Sequence, residues 1–443
     1  MSVSSNRVII RDAQLVGEKH LSTLIVQDGI IESVVPASGA PLESEADSAA
    51  MIIDAAGQLA VSGMTDLYAR LREPGFTRKG SIAHETKAAL SAGFTRVLCA
   101  PDTNPAIDNV ATVELVRHRA EAGHGAQVLP MAALTMGLQG EQLSELATLQ
   151  AAGCPVAGQA DHPIGSPTVL FSAMEYAASF NMPLFLCARD ALLGAGGCAH
   201  TGAIATRLGL PGIPVAAETV ALAQMLELCR ETGCRLHISR ISSARAVEMI
   251  ATAKQQALPV TCDVGLHHLF FIDEHLAGYD SSFHSAVPFR SQNDREALRQ
   301  GVCNGVIDAI CTDHAPHDLD ASLAPFPSTE AGLAAYQWAI PLIMQLPEIL
   351  QLPLKQVFDK LGDAPRRILD GSTSSGLSTG EQADFFLLSP ELPIEQNFDK
   401  STLAGMNHPL NTHSADSLGL AQLQGKVTHV LTRNRVHSTH ATH

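Results

Sequence analysis

Along the first sixty residues, apolar and polar positions alternate in short runs, RVIIRDAQLV, STLIVQDGIIESVV and MIIDAAGQLAV. A period of two predicts strands, and Asp28-Gly29 between two apolar runs is a two-residue hairpin signal. Residues 36–50, PASGAPLESEADSAA, are small, acidic and turn-rich, the composition of a mobile surface loop. Strand character returns near the other end in ADFFLLSPE and KVTHVLTRNRVHS, with Asn434 placed for a tight turn. The two β-rich ends, residues 1–57 and 368–443, are expected to build one small β domain together, a sandwich completed by both termini.

Residues 58–367 read differently. Apolar runs (FTRVLCAPDT, QVLPMAAL, GCPVAGQA, MPLFLCARD, CRLHISRIS, LPVTCDV and VIDAICTDHAPH) are separated by amphipathic stretches such as SIAHETKAALSAG and AAETVALAQMLELCRETG. Strands alternating with helices over about 300 residues indicate an α/β protein with a parallel sheet, and their number favours a (β/α)8 TIM barrel over a doubly wound sheet. Such a barrel carries its functional side chains on the loops that follow the strands.

The 443-residue chain is 46% hydrophobic and 17% charged, a core-forming composition. Its formal charge of −16, from 29 basic and 45 acidic residues, argues against partners that need clustered Lys and Arg, namely nucleic acids and anionic membranes. No apolar run is long enough to span a bilayer, and the N-terminal stretch lacks a signal-like apolar segment. The nine cysteines are scattered without a C-x-x-C pair, as expected of free thiols in a reducing cytoplasm. His437, His440 and His443 near the end read as a disordered tail.

Three clusters could carry chemistry by spacing alone. CTDHAPH places Asp313, His314 and His317 directly after an apolar run, GLHHL holds His267 and His268, and RLHISRIS sets His237 near Arg240. Asp and His at strand ends are candidate metal ligands or acid–base groups. The adjacent pair and His237 read better as packed, hydrogen-bonded structural residues, whereas for CTDHAPH both readings stand.

Taken in order, TDLYARLREPG, AGFTRVLCAPDTNPAIDN, AAETVALAQMLEL, VTCDVGLHHL, FRSQNDREALRQG and VIDAICTDHAPH resemble the dihydroorotase branch of the amidohydrolase superfamily, over about residues 8–436. The resemblance implies a (β/α)8 barrel whose metal site opens and closes the cyclic amide of dihydroorotate in pyrimidine synthesis. Carried over residue by residue, it implies a damaged site. The first strand's two metal-binding histidines fall on Tyr68 and Arg70, a third on Leu186 and a fourth on Arg240. The bridging acidic position falls on Asp161 or on its neighbour Ala160, and no lysine between Lys87 and Lys254 is present to take that place. Among substrate-contact positions Arg72 is retained, while two asparagines are replaced by Asp102 and Ala286. Asp313, the catalytic aspartate and metal ligand of the family, survives with His317 beside it.

A guanidinium has no lone pair to donate and stays protonated in proteins. Each arginine 4 Å from a unit positive charge costs about 4 kcal/mol at an effective dielectric near 20, and a dication doubles that. Zinc, the expected cofactor of active relatives, is therefore expected to be absent, and with it the activated hydroxide nucleophile. Arg70 or Arg240 is expected to take the metal's place beside Asp313, with Asp66 and Asp161 as further partners. The resemblance points to the non-catalytic dihydroorotase-like subunit that joins the catalytic chain of aspartate carbamoyltransferase in some bacteria, as a homodimer or a larger hetero-oligomer. The alternatives are an active metal-dependent dihydroorotase and, less well supported, another cyclic-amide hydrolase.

Overall fold

The computed structural model describes residues 2–3, 7–37, 50–371, 374, 376–394 and 407–439. Most of the expected acidic loop at 36–50, including its ESEAD segment, and His440 and His443 lie outside the described residues.

Among the described residues, eight parallel strands close the barrel: Met64–Ala69, Phe94–Cys99, Gln127–Pro130 with its continuation Ala132–Ala133, Ala157–Gly158, Leu184–Leu186, Leu236–Ile238, Val260–Gly265 and Ala309–Cys311. The last seven coincide with the seven apolar runs above, and the first falls in GMTDLYA, just before and within TDLYARLREPG. The ring closes where Ala69 bridges His314 in parallel and Arg70 N donates to His314 O at 2.8 Å. Met64–Ala69 is buried at every position, as a strand covered on both faces requires. Helices between the strands start on side-chain caps that satisfy their first free N–H groups: Ser81 for Ile82–Ser91, Asn109 for Val110–Gly123, Ser243 for Ala244–Gln255 and Ser291 for Gln292–Cys303. The long helix Val215–Thr232 stops at Gly233, whose φ of 64° is readily adopted without a Cβ.

The termini form a nine-stranded sheet in the order Ser2–Val3, Arg435–Ser438, Gln424–Thr432, Phe385–Pro393, Leu59–Ser62, Arg7–Leu15, Leu21–Gln27 and Ile30–Pro36, with Met51–Asp54 also beside Arg7–Leu15. Its core is separate from that of the barrel and joins both ends of the chain, with Ile10, Leu24 and Ile31 packing alongside Phe385, Leu387 and Leu431. The two anticipated turns are present: Asp28 and Gly29 have φ of 49° and 76°, and Arg433 and Asn434 have 50° and 58°.

The expected boundaries shift in three places. Leu59–Ser62 pairs within the terminal sheet, so the barrel begins after it and not at residue 58. The helix Asp363–Asp370 packs under the barrel strands beyond residue 367. Residues 407–413, assigned by sequence to the β domain, lie on the barrel as a strap. Asn407 Nδ2 donates to Ala315 O at 3.0 Å and Gly332 O at 2.6 Å, and Trp338 Nε1 donates to Asn411 Oδ1 at 3.0 Å. His437 belongs to the strand Arg435–Ser438, not to a disordered tail.

The strap is pinned by a buried imidazole pair, His267 Nε2 to His408 Nε2 at 2.9 Å, in which one ring donates and the other accepts. Burial pushes His267 down to about 3 and His408 well below the ordinary 6.5, while His268 falls to about 4 for the same reason. Depressed imidazoles are neutral in the fold, so below pH ~6.5 the unfolded chain binds more protons and stability falls with pH. Asp66, raised to about 6 by burial, works the other way between pH 6 and its ordinary 3.8. The urea midpoint is expected to fall on acidification below pH 6.5, and to fall less in a His267→Asn/His408→Asn double variant.

Candidate functional site

Five charged side chains from five strand ends meet at the C-terminal mouth of the barrel. Arg240 follows Leu236–Ile238 with a φ of 58°, and Asp263 Oδ1 holds its backbone N–H at 2.5 Å. That left-handed step places its guanidinium against the ring of Tyr68, 3.7 Å from the centroid. Nη1 then donates to Asp313 Oδ1 at 2.8 Å and Nη2 to Asp161 Oδ1 at 2.5 Å. Arg70 grips the other oxygen of Asp161, donates through Nε to Asp102 Oδ2 at 2.7 Å and through Nη2 to the Tyr68 hydroxyl at 3.1 Å. The result is an alternating row, Asp102, Arg70, Asp161, Arg240 and Asp313.

The Arg240 side chain has no exposed surface, and that of Arg70 retains 8%. Burial by itself would raise Asp161, but Arg240 and Arg70 together outweigh it and hold the carboxyl well below its ordinary range. Asp313 has Arg240 as its near cation, and there burial wins and the pKa moves up. Two guanidinium charges among three carboxylates supply the same positive charge as one divalent ion, with fixed hydrogen-bond directions in place of a coordination sphere.

The remaining sequence candidates divide. Leu186 is buried in the main hydrophobic core and offers no donor atom. Cys187 beside it is pushed up to about 12 by burial. Ala286 lines a narrow cleft with Arg240, Cys187 and Arg290. Arg72 is held by the loop after the eighth strand, donating from Nε to Pro316 O at 2.8 Å with Nη2 3.0 Å from His317 Nε2. Burial and Arg70 lower Arg72 to about 10, and burial and Arg72 lower His317 to about 3. Asp161, not Ala160, enters the row.

Asp66 does not pair with an arginine, contrary to expectation. It accepts from Thr312 N at 2.9 Å, from the Thr312 hydroxyl and from the Tyr336 hydroxyl at 2.9 Å, tying the first strand to the eighth. His314 turns away from the mouth to Glu85 at 3.0 Å, with Ala335 N on its other nitrogen. His237 lies between Asp263 and Thr261, and His268 bonds Val287 O. The histidines of CTDHAPH thus part company: His314 is structural, and His317 stays at the mouth. Spacing gave no sign that Tyr68 would be the platform for Arg240, nor that Glu218, Ser242 and Arg290 would form a buried polar cluster beside it.

This donor set does not fit a divalent ion. A guanidinium occupies the space between Asp161 and Asp313, and among the described residues no three His, Cys, Asp or Glu side chains converge to hold a metal. No described helix is long and apolar enough to cross a membrane.

Solved structures share this closed parallel barrel joined to a β domain from both termini across the chain. An L-hydantoinase from Arthrobacter aurescens superposes with a TM-score of 0.80 at 18% identity, covering 98% of this chain and 96% of its own. A dihydropyrimidinase from Brevibacillus agri gives 0.76 at 17% identity, covering 97% and 94%. In sequence, residues 57–246 match the Dihydro-orotase-like family. A "Dihydroorotase-like protein" of Pseudomonas aeruginosa is 41% identical over 393 residues, 89% of this chain and 90% of its own. Another of Pseudomonas putida is 42% identical over 344 residues, 78% and 81%. A "Dihydroorotase" of Syntrophotalea carbinolica is 37% identical over 367 residues, 82% and 84%. The chain belongs to the dihydroorotase-like family.

Proposed function

We propose that this protein is a non-catalytic dihydroorotase-like subunit of pyrimidine biosynthesis, in which Tyr68, Arg70, Leu186 and Arg240 stand at former metal-ligand positions. One observation carries the reading: Arg240 spans Asp161 and Asp313 with both terminal nitrogens, where an active site of this kind needs an electrophilic metal and an activated water. Among the described residues, no side chain at the mouth is poised to replace that chemistry. Asp161 is held as an ion between two arginines, Asp313 is engaged by Arg240, and His317 is packed between Arg72 and Ala331 O. Fold and family do not by themselves confer activity, which resides in the site.

A retained barrel without turnover suits a scaffold. Its partner on this reading is the aspartate carbamoyltransferase catalytic chain, in a homodimer or larger hetero-oligomer in the cytoplasm, where nine unpaired cysteines would remain reduced. The reading is tested by metal analysis of the purified chain together with a dihydroorotate hydrolysis assay. Substoichiometric zinc, no turnover with added zinc and a melting temperature unchanged by a chelator are the expected results. Stoichiometric zinc with turnover would instead establish the alternative, an active dihydroorotase. The partner is tested by co-expression, with a stable complex with aspartate carbamoyltransferase expected; two chains that elute separately would remove the scaffold role.

A further inference from the structure

At the opposite end of the barrel from the arginine row, a cavity of about 490 Å³ opens between the strand N-termini and the last helix, Asp363–Asp370. Its size lies within the range of about 300–1,000 Å³ typical of small-molecule sites. Its charged lining is lopsided for a chain of net charge −16. Arg235, Lys360 and Arg367 all face it, and among the described residues none of the three has a carboxylate within ion-pair distance. Asp308 also lines it but is already engaged, by Lys254 Nζ at 2.6 Å and Cys262 N at 2.8 Å. With Asp359, two lining carboxylates oppose three cations, and one of the two is shared with Lys254.

Donor capacity remains on each cation. Lys360 Nζ spends one of its three N–H groups on Ile307 O at 2.9 Å, and Arg235 spends one of five on Ile368 O at 3.1 Å. Burial lowers Lys360 below its ordinary value, and the attraction of Asp308 does not make up the difference. Leu258, Pro259 and Ile368 supply apolar lining in the same cavity. His237 cannot contribute a donor, because both of its nitrogens are committed to Thr261 and Asp263.

We propose that this cavity is a binding site for a small ligand with an oxyanion head and a flat apolar body, the head held by Arg235, Lys360 and Arg367. Phosphate esters and carboxylates share that chemistry. The site draws on none of the residues in the arginine row, so it stands or falls independently of the lost metal centre.

Calorimetric titration of the full chain with phenyl phosphate, benzoate and inorganic phosphate tests it. Phenyl phosphate is expected to bind saturably and more tightly than inorganic phosphate, because only the ester uses the apolar lining. Comparable binding of benzoate would identify a carboxylate ligand, whereas binding of phenyl phosphate alone would identify a phosphate ester. Arg367→Ala removes a side chain with no bonded partner among the described residues, and Lys360→Met keeps the aliphatic stem. Each is expected to weaken binding about tenfold, as loss of a charge-assisted hydrogen bond does, while Arg207→Ala on a different helix leaves it unchanged. No saturable binding of any probe, or equal affinity in all three variants, would overturn the assignment.

Discussion

Replacing Arg240 by methionine is expected to lower the unfolding free energy by about 3–5 kcal/mol, the usual cost of removing one partner from a buried ion pair. Methionine fills much of the volume, so cavity formation contributes little. The loss comes from Asp161 and Asp313, which would be left at the barrel mouth with Arg70 as the remaining guanidinium of the row. Arg240→Lys is expected to recover less than half of it. An ammonium is a compact point charge that cannot reach two carboxylates in one plane while lying flat on Tyr68, 3.7 Å below. Urea unfolding of the three proteins at pH 7 measures both differences. A loss below about 1 kcal/mol for Arg240→Met would place the row among weak surface ion pairs and deprive it of a structural role.

Asp161 provides a cross-check. Its carboxyl sits well below the ordinary range in the fold, so it contributes stability above the unfolded value near pH 3.8, lost as pH falls through the folded one. Asp313, shifted the other way, weakens the fold slightly at neutral pH and relaxes on acidification. Arg240 thus couples two carboxylates of opposite tendency, and its removal is expected to be less damaging in an Asp161→Asn background than alone.

Much of this arrangement was legible in the chain. The barrel strands could be read because parallel strands covered on both faces need unbroken apolar runs, and those runs stand out between amphipathic helices. The pairing of an arginine with Asp313 followed from charge balance. Which arginine pairs with it did not, because that depends on the left-handed backbone at Arg240, a conformation a non-glycine sequence does not announce. Asp66 looked like part of the same charged group, yet it satisfies Thr312 and Tyr336, and Tyr336 lies 270 positions away. The strap at 407–413 was unreadable for a related reason: it has no periodicity, and the polar contacts that fix it to the barrel are long-range. Local pattern reports which face of an element is apolar, not which distant carbonyl an Asn407 will reach.

The most demanding consequence of the proposed function concerns reversal. Tyr68→His/Arg70→His/Leu186→His/Arg240→His removes two positive charges and leaves Asp102, Asp161 and Asp313 facing four imidazoles at the mouth. Without a cation that variant should be less stable than the parent, since three carboxylates lose their guanidinium partners. With zinc it should regain stability, because binding to the folded state alone adds about 4 kcal/mol when free metal is a thousandfold above the dissociation constant. Arg240→His by itself should bind zinc poorly, since Arg70 still repels the ion and Leu186 donates nothing. The measurement is zinc per chain by mass spectrometry, with melting temperature followed in added zinc and in chelator. Turnover is not expected to return, because Asp102 and Ala286 still replace the two asparagines that the resemblance assigns to substrate. A quadruple variant that folds yet takes up no zinc would show that these four positions are not vacated ligand sites, and the reading of the barrel as a former metalloenzyme would fail with it.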